Sequence, residues 1–237
     1  PIEWPLPTST APPPWVEGQG TWETTLEARD LDGDTSTLEG YYDTVLDITW
    51  LVDANYAKSN GDDFDGYMNL TEAKAWAAHL DINGITGWRL PKLNPISSVT
   101  FDGLYSNDAT ADYGYASTTS DGTDGGWRDS AGNPVSELGH MYYVTLGNIG
   151  GCSPDYNGSC NEQSRHERFN NGRFSNVQRR PYWTIPETAF NPDYVLAFMF
   201  YNGKQGVYND INGVAFAWAV HDGDVGTPVF KSSVLTE

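Results

Sequence analysis

The residues whose types and spacing could do chemistry are two short acidic turns and one run of arginines. Asp30, Asp32 and Asp34 alternate in DLDGD, and Asp63 and Asp65 do so in DFDGYMN, with Glu72 close by. An Asp-x-Asp-Gly turn gathers hard carboxylate oxygens, the ligand chemistry of Ca2+. Gly33 and Gly66 fall at the fourth rather than the sixth position, and no Glu occupies the twelfth, so neither turn is an EF-hand loop. Calcium at either turn is one expectation; acidic turns that merely sit in water are the other.

Arg165, Arg168, Arg173, Arg179 and Arg180 fall within sixteen residues, with His166 among them, in a chain holding only 13 Lys plus Arg. Guanidinium forks match sulfate and carboxylate bidentately, and Asn170, Asn171 and Asn176 between them could bond hydroxyls. The run therefore suits an anionic polysaccharide or an acidic partner. The competing reading is that these arginines pair internally with the abundant carboxylates. Tyr and Trp faces also stack on pyranose rings, and Tyr105, Tyr113, Tyr115, Trp127 and Tyr156 lie in polar stretches where exposure is expected. Cys152 and Cys160 sit in a Gly/Ser/Asn-rich segment suited to a short disulfide-closed loop. Catalysis finds little support: His79, His140, His166 and His221 lack metal-ligand spacing, and neither a Gly-x-Ser-x-Gly elbow nor Cys-x-x-Cys is present. The expectation is a non-enzymatic protein.

The elements that must position these residues read as follows. Residues 1–20 carry six prolines and form an extended arm or linker, in which Trp4 and Trp15 suit a groove of this or a neighbouring subunit. Residues 21–237 are expected to be one domain. From Trp22 to Trp50, DLDGD reads as a turn between short strands. Asn69, with Glu72 three residues on, predicts a helix placing Ala73, Trp76, Ala77 and Leu80 on one face. Ser136 predicts a second helix through ELGHMYYVTL, ended by Gly147. Residues 92–135 and 147–180 read as long loops. Asn202-Gly203 and Asn212-Gly213 between apolar runs predict an antiparallel meander. Its last strand sets Val214, Phe216, Trp218 and Val220 against Ala215, Ala217 and Ala219, a face that admits a helix closely.

In chain order, TWLVDANYA, DFDGYMN, TEAKAWAAHL, GWRLP, ELGHMYYVTLG, YW before Glu187, FMFYNGKQG and AFAWAVHDGD span about residues 43–224. Together they resemble the Lcl C-terminal-domain family of bacterial secreted proteins, especially members in exported proteins with C-terminal PEP sorting signals. The resemblance implies an α+β, C-type-lectin-like fold: two helices flanking small antiparallel sheets, with long irregular loops. The name-giving member looks like an adhesin for sulfated polysaccharide. This chain departs from the pattern with YWTIPE (182–187) and with His221 where relatives commonly carry Arg.

Thirty-two Asp plus Glu give a formal net charge of -19, which repels phosphate backbones and argues against nucleic acid. No apolar run reaches the ~18 residues that cross a bilayer. A start at Pro1 rather than Met is expected of an exported precursor after cleavage, and a sequence simply begun at that point would look the same. The expected function is thus an extracellular, cell-surface binding or adhesion module recognising glycan or a protein partner through its loops. The alternative is a structural subunit of a filament, sheath or surface layer whose arm docks on a neighbouring copy.

Overall fold

A computed structural model describes residues 19–116, 125–152, 169–186, 195–208 and 213–229. The elements run α1 (Trp22–Thr25), β1 (Leu26–Asp30), β2 (Gly40–Asp43), β3 (Ile48–Leu51), α2 (Tyr56–Ser59), β4 (Tyr67–Met68), α3 (Leu70–His79), β5 (Tyr105–Ser106) and β6 (Tyr113–Gly114). They continue with α4 (Glu137–His140), a π-helix (Met141–Thr145), β7 (Pro181–Thr184), β8 (Val195–Met199), β9 (Lys204–Tyr208), β10 (Ala215–Phe216), β11 (Val220–Asp222) and β12 (Thr227–Pro228). The chain is α+β, dominated by sheet with short helices.

The first sheet has the order β11-β3-β2-β1-β12 and is antiparallel throughout. Its turns are built by aspartates. Asp30 Oδ1 accepts from Gly33 N–H to close the DLDGD turn, and Asp43 Oδ1 accepts from Val45 and Leu46 N–H between β2 and β3. The second sheet has the order β4-β10-β7-β8-β9-β6-β5, with β10 parallel to β7 and β5 parallel to β6.

Asn69 caps α3 as its spacing predicts: its side chain accepts from Glu72 N–H while Glu72 accepts from Asn69 N–H, a reciprocal box. Ala73 and Ala77 of α3 pack in one apolar cluster with Ala57, Trp183, Ala197, Ala215 and Ala217. The small face of the last aromatic run therefore admits the helix closely, as expected. Its bulky partners Phe216, Trp218 and Val220 enter the main core with Trp50, Tyr182, Phe198 and Phe200, whereas Val214 is exposed and Ala219 joins the main core rather than the helix contact. Among the buried indoles, Trp183 donates its N–H to Met68 O and Trp218 donates to Leu51 O.

Three expectations need correction. The segment after Ser136 is not a second long helix flanking the sheets. Ser136 does cap it, accepting from Gly139 N–H, but one α-turn passes into a π-helix in which Leu146 N–H reaches Met141 O. The pair of flanking helices is thus not evident, and α3 is the one described helix longer than five residues. The C-terminal third is also not a meander. β8 and β9 form the hairpin foreseen at Asn202-Gly203, but β10 lies between β7 and β4, and β11 belongs to the other sheet. The last run therefore leaves one sheet and completes the other, a choice made by packing rather than by local turn chemistry. Trp127, finally, is not an exposed platform: it is 1% exposed, and its Nε1 donates to Ala111 O.

Residues 1–18, the bulk of the arm, lie outside the described residues, as do Arg165, Arg168, Tyr156 and Cys160. The expected Cys152–Cys160 bridge therefore has one described end, and Cys152 is buried.

Candidate functional site

The segment 169–180 carries three of the five clustered arginines on a closely pinned backbone. The Asn148 side chain holds both polar groups of the Asn170 backbone, its Nδ2 donating to Asn170 O and its Oδ1 accepting from Asn170 N–H. Asn170 Nδ2 also donates to Leu146 O and Gln19 O, while its Oδ1 accepts from Gly172 N–H. Ser175 forms a bridge to Asp53, with Ser175 N–H on Val52 O and Ala54 N–H on Ser175 O. Asn176 Nδ2 donates to Asp53 Oδ2 and Ser59 Oγ, and Gln178 N–H donates to Tyr182 Oη. Asn170 and Asn176 thus hold the segment in place. Asn170 is buried and its side chain is used on the protein's own backbone, while Asn176 is exposed and commits its Nδ2 to Asp53 and Ser59.

The arginines themselves point outward. Arg173, Arg179 and Arg180 are all exposed. The Arg173 guanidinium lies 5.6 Å from the Trp22 ring centre and that of Arg179 lies 5.0 Å from that of Phe169. One face of each planar cation rests on an aromatic ring, which limits its rotamers and leaves its donor edge to solvent. Among the described residues no carboxylate comes within ion-pair distance of any of the three. Arg29, Arg89 and Lys92, by contrast, all pair with carboxylates. Among the described residues, then, the abundant acids do not pair with these three arginines.

The acidic turns separate. Asp30, Asp32 and Glu39 bring carboxylate oxygens within 4.8 Å of one another. Asp34 turns onto its own loop instead: its Oδ1 accepts from the hydroxyl and the N–H of Ser36, and these bonds hold its carboxyl below the usual range. Glu39, which the spacing of DLDGD does not mark, replaces it. The β1–β2 register, with Arg29 opposite Gly40, brings Glu39 beside Asp30, so a hairpin drawn through the turn would have found it. One oxygen of each carboxylate already accepts a backbone N–H: Gly33 on Asp30, Asp34 on Asp32 and Leu31 on Glu39. Each group keeps a second oxygen, and this hard, all-carboxylate set fits Ca2+. Asp63 and Asp65 belong to no group of three convergent acids among the described residues. Asp63 Oδ1 accepts from Asp65 and Gly66 N–H, and Asp65 Oδ1 accepts from Tyr67 N–H.

One charged constellation escaped the sequence reading, although three of its motifs had been singled out. Arg89 of GWRLP makes a bidentate pair with Glu137 of ELGH and also binds Asp222 of VHDGD. Burial opposes its charge, but the bonds to Glu137 and Asp222 outweigh that and raise its pKa. Glu137 accepts Lys92 N–H as well, so the network clamps α4 to β11. His221 uses its ring nitrogens on Thr86 O and Asp222 O and packs edge-on against Trp88.

Of the expected platforms, Tyr113 and Tyr115 are buried and Tyr105 is 54% exposed, with the Lys204 ammonium 5.2 Å from its ring centre. No helix among the described residues is long and apolar enough to cross a membrane. No family model, no curated protein and no solved structure matches this chain.

Proposed function

We propose that this chain is a secreted, non-catalytic surface-binding module of C-type-lectin-like fold that takes an anionic polysaccharide on segment 169–180. The single observation carrying this reading is that Arg173, Arg179 and Arg180 stay exposed, with no carboxylate partner among the described residues, on a chain whose acids outnumber its bases by 32 to 13. Evenly mixed charges on such a surface would have paired them. Guanidiniums seated on rings and pinned through Asn148, Asn170 and Asn176 present sulfate or carboxylate groups with forks already ordered, which lowers the entropy cost of binding. The resemblance of the dispersed motifs to the Lcl family supports the same substrate class. In this reading Asp30, Asp32 and Glu39 hold a Ca2+ that stiffens the β1–β2 hairpin.

The test is binding to immobilised dextran sulfate and to neutral dextran. The R173S/R179S/R180S variant is expected to lose dextran sulfate binding at an unchanged melting temperature, and the wild type to be displaced by salt. Full retention by the variant would overturn the reading. For the metal, Ca2+ should raise the melting temperature of the wild type and of D34N but not of E39Q. A melting curve indifferent to Ca2+ and to chelator would remove it.

A further inference from the structure

The turn between α2 and β4 presents an aromatic side chain that the fold does not use. Phe64 is 95% exposed, the most exposed large apolar residue among those described. It does not hang on a loose loop. Asp63 N–H donates to Ala57 O, Asp63 Oδ1 accepts from Asp65 and Gly66 N–H, and Asp62 Oδ2 accepts from Trp76 Nε1 and Asn60 Nδ2. Gly66 has φ 81, and a Cβ there would fall 1.9 Å from Asn55 Oδ1, so the turn is closed against α2. The result is a fixed aromatic knob with a collar of Asp62, Asp63 and Asp65.

Such a knob calls for cations that can also stack. The described surface provides them on segment 169–180, where the guanidiniums of Arg173 and Arg179 each rest one face on a ring and keep the other outward, with Arg180 exposed beside them. We propose that the Phe64 turn of a second copy of this chain docks on this arginine segment, Phe64 stacking on guanidinium and the aspartate collar taking the N–H forks. This inference rests on the proposed function in using the same three arginines, and it adds a regulation: self-association and polyanion compete for one surface.

Geometry also sets the assembly. Knob and arginine segment are both tied to α2, the knob through Asp63 N–H on Ala57 O and the segment through Asn176 Nδ2 on Ser59 Oγ. Donor and acceptor patches beside one short helix can be satisfied reciprocally across a two-fold axis, the arrangement that closes the contact as a dimer. Each copy carries a net charge of -19, so the pair also needs salt to screen the bulk repulsion. At about 0.15 M the screening length is about 8 Å, which spares the local contacts.

Sedimentation velocity of the full chain at that ionic strength, with and without dextran sulfate, tests this. The wild type is expected to show a concentration-dependent dimer that dextran sulfate dissociates. F64S, a change at a solvent position, should keep its melting temperature and its dextran sulfate binding while its dimer dissociation constant rises about tenfold, as loss of a central aromatic contact does. The R173S/R179S/R180S variant should lose both. A wild type monomeric at every concentration, or F64S dimerising as well as the wild type, overturns the dimer while leaving polyanion binding standing. Failure of the wild type to bind dextran sulfate while F64S abolishes dimerisation would overturn the glycan reading and the competition, and keep the dimer.

Discussion

His140 is the residue at which the core is most exposed to pH. It is 2% exposed, neither ring nitrogen has a hydrogen-bond partner, and burial, helped by the charge of Arg128, pushes its pKa down to about 4. A depressed histidine favours the neutral form in the fold, so its contribution is intact above its ordinary value of 6.5 and is lost as pH falls from there toward about 4. The loss is on the order of 3 kcal/mol. Urea midpoints of the wild type and of H140F, compared between neutral pH and acid, should converge at neutral pH and separate below it, with the variant the more stable in acid; parallel profiles would refute this. Arg89 makes the second prediction. Replacing it by Met strands the largely buried Glu137, so R89M should cost about 3–5 kcal/mol in urea unfolding, and R89M/E137L should recover part of that. Residues of this kind resist sequence reading for a physical reason: whether a charge is paired depends on strands far apart in the chain. GWRLP, ELGH and VHDGD were visible as motifs, but their meeting at one ion-pair network was not. Trp127 and Tyr115 misled for the converse reason, because a polar stretch rich in Gly and Asp still folds its few rings inward.

At the level of elements, local signals were read correctly and partner choices were not. The Asn69–Glu72 box and the alternation around Phe216 and Trp218 act over a few residues, and both appear as expected. The helix periodicity after Ser136 is equally local, but one widened turn does not disturb it, so the π-helix stayed hidden. The close approach of α3 to the sheet gives a prediction. Ala77 is 1% exposed against the small residues of the second cluster, and A77F should destabilise by about 1–3 kcal/mol through overpacking, whereas A78S on the exposed side should be neutral. The β8–β9 link offers another. Gly203 has φ 78, and a Cβ there would lie 2.5 Å from Tyr143 Oη, so G203A should lower the melting temperature by several degrees and G223A, with open space around it, by less.

Over the whole molecule, the main apolar cluster draws Trp50 from the first sheet and Phe198 from the second, with Trp218 between β10 and β11. Tryptophan fluorescence and far-ultraviolet circular dichroism should therefore report one coincident denaturant transition; two separated midpoints would contradict a shared core. The α+β class was legible from the mixture of capped helix and hairpin signals, while the division into two sheets was not, because it turns on where the last aromatic run crosses over. That crossing bears on how the polypeptide is made. β1 and β3 leave the ribosome well before their outer neighbours β12 and β11, and β7 likewise waits for β10. Neither sheet is complete until the last aromatic run has been made, so the native form waits on that run.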